Sequence, residues 1–326
     1  MRRIVLILLV LLVGVTGYRA WKARQKPIGE GFVTVRALTV WSRVAQVKEP
    51  VTKLRNGARV WIFEQREEWS RVRTEDGKEG WVQNEYLASR HIYEKFVQLG
   101  EKHAADPPQA QGHVRALSNL RTHPGRDSDR LFQVDVNEKV EILGRALAPA
   151  PYHVGTGPGQ PLEGAVGGEP PTSGEPLASK EEWYLIRSPG APGDIPQIGW
   201  IYGRLVAFDP PEELLDYAQE KRCVAWFVLN QVKDPVQGAR NQYLVLAAGR
   251  GEDESCDFAE MRVFTWNTRA HRYETAFRQG NICGQWPARV LESDPVPAFA
   301  LTFSDRRNPA RERIYQLRQT VVRRVK

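Results

Sequence analysis

Few residues in this chain of 326 could carry out covalent chemistry. It has three cysteines and six histidines, and only His271 follows Cys223. A zinc hydrolase needs about three protein ligands that include histidine, and a cysteine peptidase needs a thiol at a helix N-terminus beside a histidine. Cys223 instead begins an apolar segment typical of a strand, where a thiol packs as a small hydrophobic group. We therefore expect neither kind of site.

The adjacent carboxylates do not suit acid–base catalysis either. Glu67 with Glu68, and Glu181 with Glu182, lie in segments that are typical of strands. Consecutive side chains of a strand point to opposite faces, so neither pair can converge on one substrate. The chain also has no glycine-rich phosphate loop. The sequence predicts no catalytic residue, no metal site and no cofactor.

Two of the cysteines are candidates for a disulfide. Cys256 and Cys283 lie near the ends of predicted strands. In an oxidising compartment they could form a disulfide, which would leave Cys223 unpaired. The sequence leaves open whether the bond forms.

The remaining possibility is ligand binding, by side chains that short strands would position. Residues 56–87 alternate apolar and polar positions between the turn signals Asn56-Gly57 and Asp76-Gly77. Such dipeptides favour two-residue hairpin turns because they tolerate positive φ at low cost. The pattern predicts two hairpins of a small barrel or sandwich. Apolar side chains that could face its interior are Val60, Ile62, Trp69, Val72, Trp81 and Val82.

This segment resembles the bacterial SH3 (SH3b) family, which has a glycine-led strand, a hairpin, a tryptophan that enters the next strand and a D-G-x-x-G-W-V element. The residues that carry the resemblance are Gly57, Trp69, Asp76, Gly77, Gly80, Trp81 and Val82. The N-terminal part departs from the family, because residues 38–43 read L-T-V-W-S-R where L-N-V-R-S-G-P is usual. The resemblance implies an SH3-like barrel over residues 31–90.

A second copy of the pattern follows over residues 112–208. Residues 35–38 recur as residues 114–117, and the E-E-W and G-W elements recur at Trp183 and Trp200. Internal repetition at matched positions is hard to obtain by chance. We therefore expect two tandem SH3-like barrels.

The other segments have different compositions. Residues 146–179 are mostly Pro, Gly, Ala, Ser and Glu, which cannot bury enough apolar surface to become ordered, so we expect a disordered loop inserted in the second barrel. Residues 91–111 and 209–222 show helical spacing or helix-start signals, and are predicted linker helices. Residues 223–326 are typical of an antiparallel β domain, of no family that we identify.

Residues 1–30 form a separate N-terminal segment. Arg2 and Arg3 precede an apolar run of about 12 residues, which is short for a membrane-spanning helix of about 20 and suits a signal peptide. Tyr18 and Trp21 would equally suit the interfacial end of an uncleaved hydrophobic helix. We expect a membrane-anchored, extracytoplasmic protein, or a secreted one after cleavage. The basic residues after the run favour the alternative of a cytoplasm-facing anchor.

The C-terminal region is basic, with 18 basic and 11 acidic residues over 221–326 and so a net charge of +7. Arginines on an edge strand commonly protect against aggregation, and the alternative is a patch for an anionic surface. We do not expect nucleic acid as a partner, because no aromatic residue beyond Tyr315 interleaves with these arginines. The candidate basic patch comprises Arg306, Arg307, Arg311, Arg313, Arg323 and Arg324.

The fold class predicted is mainly β: two SH3-like small barrels and a C-terminal antiparallel β domain, with an N-terminal hydrophobic helix and short linker helices. The SH3b resemblance implies a peptide-like ligand, such as cell-wall peptides, or an envelope protein as partner. Trp81 and Trp200 are expected to be mainly core. Candidates for ligand contact are Trp41, Trp69, Trp183 and Tyr184.

We therefore expect a non-catalytic binding or scaffolding protein of the cell envelope. One alternative is a cell-wall hydrolase with an unrecognised C-terminal catalytic site. The other is a cytoplasm-facing module that binds anionic polymers through its basic C-terminus.

Overall fold

A computed structural model of the chain describes residues 26–150, 180–189, 197–249, 255–291, 296–305 and 308–325. The fold is mainly β, as predicted, with 61% strand and 11% helix in three antiparallel sheets. The predicted N-terminal hydrophobic helix falls on residues 1–25, outside the described residues. Within the described ranges, every helix is too short or too polar to span a bilayer.

Sheet 1 is formed by residues 29–89. Its strands are β1 Gly29–Val33, β2 Ala37–Trp41, β3 Pro50–Arg55, β4 Arg59–Gln65, β5 Trp69–Thr74, β6 Glu79–Gln83 and β7 Leu87–Ser89. They are ordered β3-β2-β6-β5-β4-β1-β7. The side chains of alternate residues meet in an apolar core, because one face of each strand is directed inward. The core residues are Val33, Leu38, Val40, Val60, Val72 and Val82.

The two predicted hairpin turns differ in the structure. Asp76-Gly77 does join paired strands, β5 and β6, with Gly77 at φ 82° and its amide donating to the Thr74 carbonyl at 3.0 Å. Four residues, rather than two, separate these strands. Asn56-Gly57 joins β3 to β4, but β3 pairs with β2 and β4 with β1 and β5. The prediction of a hairpin there was wrong, because Gly57 turns the chain between strands that are not neighbours.

Sheet 2 repeats the strand order of sheet 1. Its strands are β8 Ala110–Val114, β9 Ser118–Arg121, β10 Arg130–Val134, β11 Lys139–Pro149, β12 Lys180–Ser188, β13 Gln197–Tyr202 and β14 Val206–Phe208. They are ordered β10-β9-β13-β12-β11-β8-β14. Strands β8 to β14 therefore take the same positions in sheet 2 that β1 to β7 take in sheet 1, in the same order. The predicted disordered loop begins too early, because residues 146–149 pair with β12. Residues 151–179 of that loop lie outside the described residues.

Sheet 3 contains the predicted antiparallel strands of the C-terminal region. They are β15 Cys223–Asp234, β16 Gly238–Ala247, β17 Phe258–Asn267, β18 Arg272–Leu291, β19 Ala298–Asp305, β20 Asn308–Arg318 and β21 Val321–Arg324. Each strand pairs with the next along the chain, which makes an up-and-down meander. Its core includes Phe258, Phe299 and Tyr315, with Phe299 and Tyr315 stacked at 5.3 Å.

The helices are short. Helix α1 spans Arg90–His103, and helix α2 spans Leu215–Glu220 directly after a 3-10 turn at Glu212–Leu214. Two further 3-10 turns, Asn84–Tyr86 and Gly203–Leu205, follow the sixth strand of sheets 1 and 2. Both α-helices lie within the predicted linker segments to within one residue.

Contacts divide the chain into two compact units. One comprises the described part of residues 1–98 with residues 130–133, and the other comprises residues 99–129 and the described part of 134–326. In the second unit, sheets 2 and 3 are joined by Gln109, which is fully buried. Its carbonyl accepts from the Trp226 amide at 3.1 Å, and its side chain bonds the backbone of Ala288 at 2.8 and 3.2 Å.

Candidate ligand-binding site

Three tryptophans lie on the outer side of sheet 1. Trp41, Trp69 and Trp81 are each half-buried, while a neighbour of each along its strand is buried. Because consecutive side chains of a strand point to opposite faces, the three indole rings point away from the core. Such a concentration of aromatic surface outside the core of a small domain is typical of a binding site.

The strand register brings the three rings together. Trp41 on β2 is directly opposite Trp81 on β6. Trp69 on β5 is opposite Gln83, two residues along β6 from Trp81. Trp69 and Trp81 are therefore diagonal neighbours, at the spacing of about 7–8 Å that aromatic side chains can span.

Two cationic side chains cover these rings. The Lys48 Nζ atom lies 4.7 Å from the centre of the Trp41 ring and 4.6 Å from the centre of the Trp69 ring. The guanidinium carbon of Arg66 lies 4.4 Å from the centre of the Trp81 ring. All three distances fall within the ~6 Å at which a cation is attracted to an aromatic face. We call these five residues the tryptophan face.

Hydrogen bonds fix the two turns that carry the cations. The Ser42 amide donates to the Glu49 carbonyl at 2.9 Å, and the Glu49 amide donates to Ser42 Oγ at 3.2 Å, which closes the turn before β3. The Asn84 side-chain amide donates to the carbonyls of Arg66 and Glu67 at 2.8 and 3.2 Å. These bonds hold the backbone of both turns beside the rings.

Several carboxylates are close in sequence to residues of the tryptophan face. Glu49, Glu67 and Glu68 are exposed and, in the part of the chain that the structure describes, have no ion pair. Glu64 differs, because it pairs with Arg66 at 2.9 Å. The face itself carries the cations Lys48 and Arg66, and the unpaired carboxylates lie next to it in the sequence. Aromatic faces and carboxylates both attract cationic groups.

The expectation that Trp81 and Trp200 are mainly core residues was wrong. Both are half-buried, whereas Val82 and Ile201, the residues that follow them, are fully buried. Strand alternation allows only one of two consecutive side chains to face the core, and the smaller aliphatic side chain takes that position. The same parity in the sequence could have identified Trp81 as an outer residue.

Trp183 and Tyr184 are not accessible to a ligand, because each is only 1% exposed. Trp183 is flanked by strand partners on both sides, Ala146 and Tyr202. In sheet 1, β4 ends at Gln65, so Trp69 has a strand partner only on β6.

Tyr184 is covered by sheet 3. Its ring packs 6.5 Å from the Trp286 ring, and Arg222 donates to its hydroxyl at 2.7 Å. Burial raises the pKa of the Tyr184 hydroxyl, with Glu182 nearby adding to the effect. Sequence reasoning did not anticipate this packing because it joins residues distant along the chain.

Among the described residues of sheet 2, the paired rings have no equivalent. Arg121 is opposite Trp200, in the place that Trp41 has opposite Trp81. The Arg121 guanidinium carbon lies 5.9 Å from the Trp183 ring centre. In sheet 2, Arg121 therefore takes the position that the Trp41 ring has in sheet 1. The accessible aromatic cleft between two tryptophans belongs to sheet 1.

The described members of the predicted basic patch do not share one face of sheet 3. Residues 306–307 lie outside the described residues. The other predicted members are Arg311, Arg313, Arg323 and Arg324. Arg324 is opposite the buried Tyr315, whereas Arg323 is opposite Gln316. Because paired residues share a face and consecutive ones do not, the arginines divide between the two faces of sheet 3.

The cysteines have distinct surroundings. Cys256 and Cys283 are joined by a disulfide, with Cα atoms 4.9 Å apart. Cys223 is free and only 6% exposed. Burial raises the pKa of its thiol to about 12. Because the thiolate is the nucleophile, Cys223 is unreactive near neutral pH.

Sequence reasoning missed a polar cluster in sheet 3. The Asp234 side chain is fully buried, and its oxygens lie 2.8 Å from Trp266 Nε1 and His271 Nδ1. The backbone amides of Val236 and Gln237 also donate to it at 2.8 Å. Burial opposes ionisation of Asp234, but these donors outweigh it and hold its pKa well below the usual range. The aspartate thus connects the end of β15 with the end of β17 and the turn that follows it.

Comparison with known proteins finds a family match for one part of the chain. Residues 46–88 match the bacterial SH3 domain. The match covers β3 to β7 and contains Lys48, Arg66, Trp69 and Trp81, and it leaves out Trp41. No curated protein matches the chain.

Among solved structures, the chain is similar to the crystal structure of an NlpC/P60 family protein from Bacillus cereus, with 13% identity over 62% of this chain and a TM-score of 0.23. It covers 65% of that protein. NlpC2 and NlpC1 from Trichomonas vaginalis are 11% and 10% identical over 77% and 78% of this chain and 92% and 88% of theirs, each with a TM-score of 0.18. A likeness at this level assigns neither activity nor ligand.

Proposed function

We propose that this chain is a non-catalytic binding protein of the cell envelope, and that the tryptophan face of sheet 1 binds cell-wall peptides. One observation carries the proposal: Trp41, Trp69 and Trp81 are neighbours on the outside of a sheet whose core is complete without them. The bacterial SH3 match over residues 46–88 supports a peptide-like ligand.

The surroundings of the cysteines support a binding role rather than catalysis. The Cys223 thiol is buried with a raised pKa, so it is a poor nucleophile. The disulfide between Cys256 and Cys283 suits an oxidising compartment, which favours the extracytoplasmic side of the membrane.

In this proposal sheet 2 is a second SH3-like barrel with a scaffolding role. Its strand order repeats that of sheet 1. Its Trp183 and Tyr184 rings are covered, and Tyr184 and Gln109 contact sheet 3 instead of solvent. Sheet 2 then holds the C-terminal meander, while sheet 1 contacts the wall.

Co-sedimentation with purified sacculi tests the proposal. We expect the full chain to sediment with sacculi, and a Trp41→Ala, Trp69→Ala variant to stay in the supernatant. The matched control is Trp61→Ala, because Trp61 is also half-buried on the outer side of sheet 1. It lies on β4 under Arg59, whose guanidinium carbon is 5.1 Å from the centre of the Trp61 ring. Equal sedimentation of all three proteins, or of none, contradicts the proposal.

The same preparations separate the alternatives. A cell-wall zymogram that shows clearing by the full chain and none by Cys223→Ala would establish the hydrolase. Binding to anionic vesicles that is lost in Arg323→Gln, Arg324→Gln, without binding to sacculi, would establish the module for anionic polymers.

A further inference from the structure

We propose that the cleft between Trp41 and Trp69 receives a primary ammonium group of the bound peptide, and that Lys48 occupies this position in the free protein. The inference rests on the proposed function and names the group that the tryptophan face recognises. It also makes Lys48 an internal competitor, which a ligand displaces.

The geometry around Lys48 is that of an ammonium site. Its Nζ atom is almost equidistant from two ring centres, at 4.7 Å from Trp41 and 4.6 Å from Trp69. Two aromatic faces around one ammonium resemble the cages in which proteins bind quaternary ammonium ligands, and a lysine ammonium is attracted to such faces as well. The chain's own side chain thus shows which chemical group fits the cleft.

Lys48 is held there weakly. In the part of the chain that the structure describes it makes no ion pair, and its neighbours in the turn are exposed. A lysine side chain has several rotatable bonds and loses rotamer freedom when it is fixed. Because cation–π attraction alone opposes that loss, Lys48 can swing into solvent when another ammonium arrives.

The charge around the cleft favours an incoming cation. Glu49, Glu67 and Glu68 are exposed at its margin, without an ion pair among the described residues. Glu49 directly follows Lys48 in the chain and Glu68 directly precedes Trp69, so both carboxylates are adjacent in sequence to residues of the cleft. An anionic ligand would meet repulsion from them.

Sheet 2 provides an internal comparison. Arg121 replaces Trp41 at the equivalent register position and lies over Trp183. The Arg121 guanidinium also donates to the Ser128 carbonyl at 2.7 Å, a hydrogen bond of a kind that Lys48 does not make among the described residues. The displaceable arrangement is therefore particular to sheet 1.

Displacement has a measurable consequence. The apparent dissociation constant of a ligand rises when only a fraction of the protein has an open site. Removing the Lys48 ammonium should therefore tighten binding of an amine. Lys48→Met keeps most of the apolar stem, and the matched control is Lys53→Met, which removes an exposed lysine of β3 with the same change in net charge.

The experiment is calorimetric titration of the full chain with the blocked tripeptide acetyl-Ala-Lys-Ala-amide. Two further probes are the same peptide with an acetylated lysine side chain, and Ala-Ala-Ala-amide with a free N-terminus. We expect side-chain acetylation to weaken binding about tenfold, and Lys48→Met to tighten binding of the lysine peptide about tenfold while Lys53→Met leaves it unchanged. Binding of the free N-terminal peptide with the same response to Lys48→Met would identify an α-amine as a second source of the group.

Equal binding of the lysine and acetyl-lysine peptides overturns the inference, as does equal affinity of Lys48→Met and Lys53→Met. If either of these results is found while sacculus binding still depends on Trp41 and Trp69, the proposed function stands and the ammonium site is contradicted. If Lys48→Met tightens amine binding but no variant sediments with sacculi, the ammonium site stands and the cell-wall role falls.

Discussion

A Cβ atom at Gly80 would lie 2.5 Å from the carbonyl oxygen of Trp41. The backbones of β6 and β2 therefore approach so closely that only glycine fits at this position. The approach also sets Trp81 directly opposite Trp41. One glycine thus connects the packing of sheet 1 to the geometry of the tryptophan face.

Replacing Gly80 should weaken both the stability of sheet 1 and ligand binding by the tryptophan face. Gly80→Ala forces the two strands apart, and overpacking of this kind costs about 1–3 kcal/mol in the free energy of unfolding. Urea denaturation measures that loss, and sacculus binding should fall with it. Gly29→Ala is the control, because a Cβ there meets nothing within 4 Å. A Gly80→Ala protein as stable as Gly29→Ala would contradict the close approach.

Arg145 should contribute strongly to the stability of the second unit. Its guanidinium pairs with Glu182 at 2.6 Å in sheet 2 and with Asp257 at 3.2 Å beside sheet 3, and its side chain is 11% exposed. Arg145→Met leaves two largely buried carboxylates without their partner, at a cost of about 3 kcal/mol.

Chemical denaturation checks this cost against Arg289→Met. Arg289 pairs with Glu312, but both side chains are more than 40% exposed, at 49% and 42%. An exposed pair contributes about 0–1 kcal/mol. Similar losses in the two variants would show that Arg145 does not join the sheets.

The disulfide should stabilise sheet 3. Cys256 and Cys283 are separated by 27 positions along the chain. Closing a loop of that length restricts the unfolded chain and contributes about 3–4 kcal/mol. We expect the Cys256→Ser, Cys283→Ser variant to lose that much, and reductant to destabilise the wild type but not the variant. Equal sensitivity of both proteins to reductant would be the contrary result.

Stability in acid should depend on Asp234. Its pKa is held below the usual value, so its ionised form stabilises the fold above the unfolded-state pKa of about 3.9, and this contribution is lost as the pH falls below that value. Asp234→Asn should therefore be less stable than the wild type at pH 7, with a flatter dependence below pH 4. Glu312→Gln, which alters an exposed carboxylate, should keep the wild-type profile. Parallel profiles for Asp234→Asn and the wild type would contradict the assignment.

Local sequence patterns were sufficient for much of the fold. The antiparallel β domain predicted over residues 223–326 is present as sheet 3, and the turn at Asp76-Gly77 is a hairpin. Alternation assigned Trp69 to the interior, and that prediction was wrong; the SH3b resemblance placed it among the candidates for contact. These features depend on residues within a few positions of one another, which is the range over which periodicity and turn propensity act.

Other features depend on contacts between distant residues. Tyr184 is buried because Trp286 and Arg222 reach it from sheet 3, about 40 to 100 positions further along the chain. Lys48 lies in a turn without periodicity, so only the fold shows that it meets Trp41 and Trp69.

The most direct test of the account is to observe the indole N–H groups of the tryptophan face by NMR while soluble cell-wall peptides are added. Single Trp→Phe substitutions assign the resonances of Trp41, Trp69 and Trp61. The account predicts that the Trp41 and Trp69 indole resonances shift saturably, while that of Trp61 stays in place. Saturable shifts confined to other tryptophans, or no shift at all, would contradict it.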